Sequence, residues 1–299
     1  MNEVGRVITA MITPFDSNGI ISTDTIARLS KKLISDGNDG IVLAGTTGES
    51  PNLSKDDRNI LYTTTIESVG GKAKIVAGTG TYSTSETIEL SKQAKDAGVD
   101  GIMLVTPYYS KPSQEGIYQH FKSVSASVDL PIIAYNIPGR TSTLIEIQTL
   151  ERIVEDTNVI AIKDAVNDID FTKKQIGHLH DDKNLEVDIY SGDDQLTLEM
   201  IKLGAKGVIS VASHVIGQEI RSFIDSYANG DTKKAEKANE ELIKFYNLIF
   251  EEPSPGPIKA ILNESFQYVG SCKLPLINAS PELLDKLIHE YKRIKKLKL

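Results

Sequence analysis

Val159-Ile160-Ala161-Ile162-Lys163-Asp164 reads as a short buried strand that ends in a lysine. Four apolar residues in a row suit a parallel strand covered on both faces. Side chains alternate along a strand, so Ala161 and Lys163 share one face while Ile160 and Ile162 take the other. A lysine beside a small alanine, at the tip of such a strand, sits in low dielectric. Burial there disfavours the ammonium and lowers its pKa. An amine of that kind is a nucleophile for ketones, through a Schiff base. The plain alternative is a strand-end lysine that snorkels to solvent.

Outward from this stretch, short apolar runs recur, each followed by polar or glycine-rich residues and then a helical pattern. They begin near Val7, Ile41, Ile75, Ile102, Ile132, Ile160, Asp188 and Val208. The spacing is roughly 29 residues, the size of a βα repeat. Eight such units predict an α/β fold of the (β/α)8 TIM-barrel type rather than an open doubly wound sheet. Helix starts are marked as well. Ser54 to Asp57 resembles a capping box, and Ser83 to Glu86 and Thr143 to Glu146 fit that motif. Gly98 is an expected left-handed helix stop, and Ile88, Ser91, Gln93, Ala94 and Ala97 predict a thin buried stripe on the helix before it. After Gly230 the pattern changes. Asp231 to Phe250 reads as a helix with Ala235, Ala238, Leu242, Phe245 and Ile249 on one face, and Pro253, Pro255 and Pro257 break it. Ile258 to Asn263 starts a short helix, and Ser280-Pro281-Glu282 opens a last one reaching about Leu297. The expected division is a catalytic barrel over 1–229 and a C-terminal all-helical extension over 230–299.

Composition narrows the function. Of 299 residues, 40% are hydrophobic and 25% charged, as in ordinary globular proteins. The net charge of −8 argues against a nucleic-acid partner. Cys272 is the only cysteine, which excludes an intrachain disulfide and a cysteine-based metal cluster. Met1 to Ala10 lacks a signal-peptide pattern, and no apolar run approaches membrane-spanning length. The expectation is a cytoplasmic enzyme with no membrane partner.

In such a barrel the chemistry gathers at the C-terminal ends of the strands. Tyr135 follows Ile132-Ile133-Ala134 as Lys163 follows Ile160-Ala161-Ile162, so the two occupy matching positions on neighbouring strands. A phenol there can carry protons for imine formation; the alternative is a packed ring whose hydroxyl finds water. Gly45-Thr46-Thr47-Gly48 offers backbone N–H groups and two hydroxyls, a natural cradle for a carboxylate. No Gly-Lys-Ser/Thr follows it, so it is not a nucleotide phosphate loop, and Gly78-Thr79-Gly80 is too short a signal for a dinucleotide site. Arg140, just past the fifth strand, can grip a second carboxylate with its planar fork. His178-Leu179-His180 has a metal-like spacing, but on a helix positions i and i+2 do not share a face. Asp181, Asp182, Asp193 and Asp194 read as turn and cap residues. Amine catalysis is therefore favoured over metal chemistry, with no metal or separate cofactor.

Taken in order, these motifs resemble the dihydrodipicolinate synthase family of pyruvate-dependent class I aldolases. The resemblance runs from Thr13-Pro14-Phe15 through Gly45–Ser50, Ala77–Gly80, Val105–Tyr109, Tyr135–Thr141, Ile162–Ala165, Ser191–Asp194 and Gly207–Val211 to Pro255–Lys259. It implies a Schiff base between Lys163 and pyruvate, with Tyr135 donating and accepting protons. Thr46 and Tyr109 of a neighbouring subunit would complete a relay. Thr47 and its backbone would hold the pyruvate carboxylate, with Ile209 lining that pocket. Arg140 would hold the carboxylate of L-aspartate-4-semialdehyde. It further implies lysine and diaminopimelate biosynthesis and a homotetramer built from two tight dimers.

Asp164 stands where the family often has glutamate, and Ser254 and Gly256 vary the proline-rich turn. Sugar-acid lyases of the same superfamily keep the lysine and the strand-5 tyrosine but generally lack the Arg140 and Tyr108-Tyr109 combination. A catalytically silent sensor on the same scaffold is disfavoured by the intact Lys163, Tyr135 and Thr46. Lysine-inhibited relatives bind their effector near positions matching Ser50, Pro51, Lys55, Arg58, Tyr82, Glu86 and Tyr108. Here Lys55 and Arg58 put two cations where an ammonium ligand would sit, which predicts weak or absent feedback.

Overall fold

The computed structural model describes residues 4–297. Eight strands run β1 Val7–Ala10, β2 Gly40–Leu43, β3 Lys74–Gly78, β4 Gly101–Val105, β5 Ile132–Asn136, β6 Val159–Asp164, β7 Asp188–Ser191 and β8 Gly207–Ser210. Each starts within one residue of the expected position. They follow one another in chain order around a closed barrel, the (β/α)8 arrangement that the repeat spacing predicts. β2, β5 and β8 are buried along their whole length. A parallel barrel strand meets packed side chains on its inner face and helices on its outer one, which is why these segments read as unbroken apolar runs.

The chain forms two compact units, one holding Ile75–Ile209 and the other Gly5–Lys74 with Ser210–Leu299. In the first, β4, β5, β6 and β7 pair in parallel. The helix Thr84–Ala97 stops at Gly98, whose φ of 91° is the left-handed cap expected there. Its buried residues are Thr87, Leu90, Ser91 and Ala94. The expected stripe is thus corrected by rotation toward Leu90, which supplies more apolar area than Gln93 or Ala97.

The Thr143 capping box is also corrected. The helix it was to open begins at Ile147, with Glu146 as N-cap. Gln114 takes over the local bonding, accepting from the Glu146 N–H at 3.1 Å and donating to the Leu144 carbonyl at 2.8 Å. A side chain 32 residues away has replaced the local cap.

In the second unit β1 pairs with β2. Ser54 caps Lys55–Val69 through a reciprocal box with Asp57. Thr232–Ile249 buries Ala235, Ala238, Leu242, Phe245 and Ile249, the face expected. The helix Gly256–Ser265 begins two residues before Ile258, and Pro281–Ile294 opens on Ser280 and Pro281 as expected, ending three residues short of Leu297. His214 is wholly buried, accepting the Ile12 N–H at Nε2 and bonding Val211 through Nδ1. Among the described residues no helix is long and apolar enough to cross a membrane.

Candidate active site

Lys163 and Tyr135 are register partners on β6 and β5, as their matching sequence positions predict. Both side chains are buried, and Lys163 Nζ lies 4.3 Å from the centre of the Tyr135 ring. Burial pushes the Lys163 ammonium down to about 8 from the ordinary 10.5. Asp194 opposes that fall, Arg140 reinforces it and Asp193 opposes it. At pH 7 this amine is far closer to its nucleophilic form than an exposed lysine.

The turn after β7 shapes the space around the amine. Tyr190 is the register partner of Lys163, and the Gly192 N–H donates to the Asp164 carbonyl at 2.7 Å. A Cβ at Gly192 would lie 2.7 Å from Ala165 Cβ and 3.1 Å from Lys163 Cε. Only glycine lets this turn run so close to the lysine stem. Asp193 accepts from the Gln195 N–H at 2.8 Å, so it is the turn residue expected. The sequence reading missed that it and the buried Asp194 also act on Lys163. The Asp164 side chain accepts from the Val166 N–H and the Thr172 hydroxyl, fixing the end of β6.

Arg140 sits on the single turn Pro138–Thr141 that follows β5, and it is exposed. Asn136 anchors the segment carrying it, exchanging two hydrogen bonds of 3.0 Å with Ile145. An open cavity of about 350 Å³ is lined by Tyr108, Tyr109, Lys111, Arg140, Thr141 and Ser142. Lys163 does not line it. The cavity therefore marks the place of Arg140 and not of the amine. Tyr109 is 92% exposed at φ 69°, while Tyr108 packs edge-on against Tyr82. Ile209 is buried on β8.

In the other unit, Thr47 is buried and Thr46 half-buried in the turn after β2. The Glu49 N–H donates to the Thr46 carbonyl at 3.1 Å, and that of Ser50 to the Gly45 carbonyl at 3.3 Å. Among the described residues no backbone hydrogen bond takes the N–H of Thr46, Thr47 or Gly48. A turn with successive unspent donors suits an anion. Glu49 and Lys259, both fully buried, form an ion pair of 2.5 Å. No local signal reveals it, because 210 residues separate the partners.

His178 and His180 lie on the π-helical turn Gly177–Asp182. His178 pairs with Glu151 at 2.8 Å, and His180 contacts the Val187 carbonyl at 2.8 Å. Among the described residues no cluster of three or more His, Cys, Asp or Glu side chains is arranged to hold a metal ion.

A buried amine at the C-terminal end of a barrel strand, with a phenol beside it, is the arrangement of a lyase of the class I aldolase type. The chain belongs to the dihydrodipicolinate synthetase family, whose pattern it matches over residues 3–294. It is 43% identical over 284 residues to the 4-hydroxy-tetrahydrodipicolinate synthase of Desulforamulus reducens, covering 95% of each chain. The dihydrodipicolinate synthase structure from Thermotoga maritima superposes with a TM-score of 0.95 at 36% identity, over 99% of this chain and 100% of that one. The chloride-inhibited enzyme from Acinetobacter baumannii, solved with pyruvate, gives a TM-score of 0.93 at 34% identity, over 99% of this chain and 100% of that one.

Proposed function

We propose that this protein condenses pyruvate with L-aspartate-4-semialdehyde through a Schiff base on Lys163, the 4-hydroxy-tetrahydrodipicolinate synthase reaction of lysine and diaminopimelate biosynthesis. The observation that carries the reading is Lys163, buried beside Tyr135 and depressed to about 8. The neutral amine attacks C2 of pyruvate, and loss of water gives the iminium. A proton leaves the methyl carbon to form the enamine, which bonds to the aldehyde carbon. The amino group of the second substrate then displaces Lys163 by transimination and closes the ring.

Tyr135 moves the protons, with Thr46 and a neighbouring subunit's Tyr109 in relay. Thr47 and its backbone hold the pyruvate carboxylate, beside Ile209. Arg140 holds the carboxylate of the aldehyde substrate, and its place in the open cavity supports that role. The exposure of Tyr109 supports a ring that serves another subunit, within a cytoplasmic homotetramer. Borohydride with pyruvate should label Lys163 alone and inactivate the enzyme. A label on another lysine, or none, ends the reading. An aldehyde screen with pyruvate then separates aspartate semialdehyde from sugar aldehydes.

A further inference from the structure

The turn after β2 is strained at both ends. Ala44 and Glu49 bracket Gly45–Gly48, and both are left-handed, at φ 51° and 55°. Non-glycine residues hold that conformation only where the surroundings over-determine it. At Glu49 the surroundings are specific. Lys259, on the helix Gly256–Ser265, donates to Oε1 at 2.5 Å, and the Lys273 N–H donates to Oε2 at 2.7 Å. Lys259 also donates to the Ser271 carbonyl at 3.1 Å and lies 4.4 Å above the Phe15 ring. Burial pushes the Lys259 ammonium below its ordinary range, and Glu49 is the largest influence holding it up. A buried ion pair is weak support for stability, because desolvation offsets the attraction, and its best-attested use is to impose one conformation. Here the conformation imposed is that of the residue closing the turn.

We propose that the Glu49–Lys259 pair is a positioning device for the reaction, keeping Glu49 left-handed so that the N–H groups of Thr46, Thr47 and Gly48 stay free for a carboxylate. This rests on the reading of the turn as the cradle of the pyruvate carboxylate. The test uses the full-length enzyme and measures the pyruvate concentration that half-saturates borohydride labelling of Lys163, beside the unfolding temperature. Lys259→Met alone leaves the buried Glu49 without its ion-pair partner and lowers the unfolding temperature. Glu49→Gln with Lys259→Met removes both charges at similar volume and recovers it to within a few degrees.

In that double variant half-saturation should still need at least about tenfold more pyruvate, the loss of one hydrogen bond to a charged group, with unchanged maximal labelling. Half-saturation equal to wild type in the folded double variant overturns the proposal. Should the double variant unfold, Glu49→Gln carries the same comparison, since its amide oxygen keeps the Lys273 bond and Lys259 can shed its proton. Thr47→Ala separates the two layers of argument. If neither it nor the pair variants move half-saturation, the cradle itself is wrong. If it raises half-saturation while the pair variants do not, the pair alone is refuted.

Discussion

The pH dependence of Schiff-base formation gives the sharpest test of the amine. With Lys163 titrating at about 8, roughly one molecule in ten carries the neutral amine at pH 7. At the ordinary 10.5 the fraction would be about one in three thousand, so burial is worth roughly 300-fold in reactive amine, or about 3 kcal/mol. The rate of imine formation with saturating pyruvate, followed by rapid quench into borohydride, should rise tenfold per pH unit and level off near pH 8. Asp194→Asn removes the main charge that holds the ammonium up, so the inflection moves to lower pH; Arg140→Ala moves it to higher pH. The unfolded chain keeps this proton up to about 10.5 while the folded chain releases it near 8. Stability therefore rises with pH between those values. A rate still climbing at pH 10, or two variants shifting in the same direction, would show that burial and these charges do not set the reactivity.

Further outcomes follow from neighbouring residues. Arg140→Ala should weaken use of aspartate semialdehyde by roughly ten- to a hundredfold while sparing pyruvate labelling measured on the plateau above the amine's inflection; equal losses in both assays there count against its role. Gly192→Ala forces a Cβ to within 3.1 Å of Lys163 Cε, so it should slow imine formation and cost about 1–3 kcal/mol in denaturant unfolding. Unchanged labelling rates would mean the turn gives way freely. Mixing Tyr109→Phe with Lys163→Ala subunits should restore about a quarter of wild-type activity if Tyr109 acts across a two-fold axis. No recovery, after mass analysis has shown mixed dimers, places Tyr109 within its own chain. Feedback by lysine should be weak, since Lys55 and Arg58 bring two basic side chains to those positions, Arg58 donating to Ser50 Oγ at 2.7 Å; sub-millimolar inhibition at saturating pyruvate refutes this.

The barrel was legible because its strands announce themselves one at a time. The pairing of Tyr135 with Lys163 was legible for the same reason, since matching offsets on adjacent parallel strands become register. What stayed hidden depends on contacts distant in sequence. The local signal at Thr143 was sound, yet Gln114 from another helix displaced it. The helix before Gly98 carries few large apolar residues, so its buried face turns on Leu90 alone and was misjudged. Asp193 and Asp194 read as turn formers, and their effect on Lys163 appears only once β6 and β7 lie side by side. Glu49 and Lys259 each look solvated in sequence, because nothing local says that two opposite charges will be buried together.

The amine stands on a strand, whereas Tyr109, Lys111, Arg140 and Ser142 stand on the short segments that follow β4 and β5, three of them at left-handed φ. Strand positions are fixed by hydrogen bonding on both sides, while loops tolerate exchange. On the reaction proposed above, this arrangement would separate Schiff-base formation with the keto acid from the choice of acceptor. For a protein engineer, grafting 106–112 and 137–146 from a relative is the economical route to a new aldehyde. On that same reading, acceptor preference would change on those two segments without disturbing the enamine that every acceptor meets.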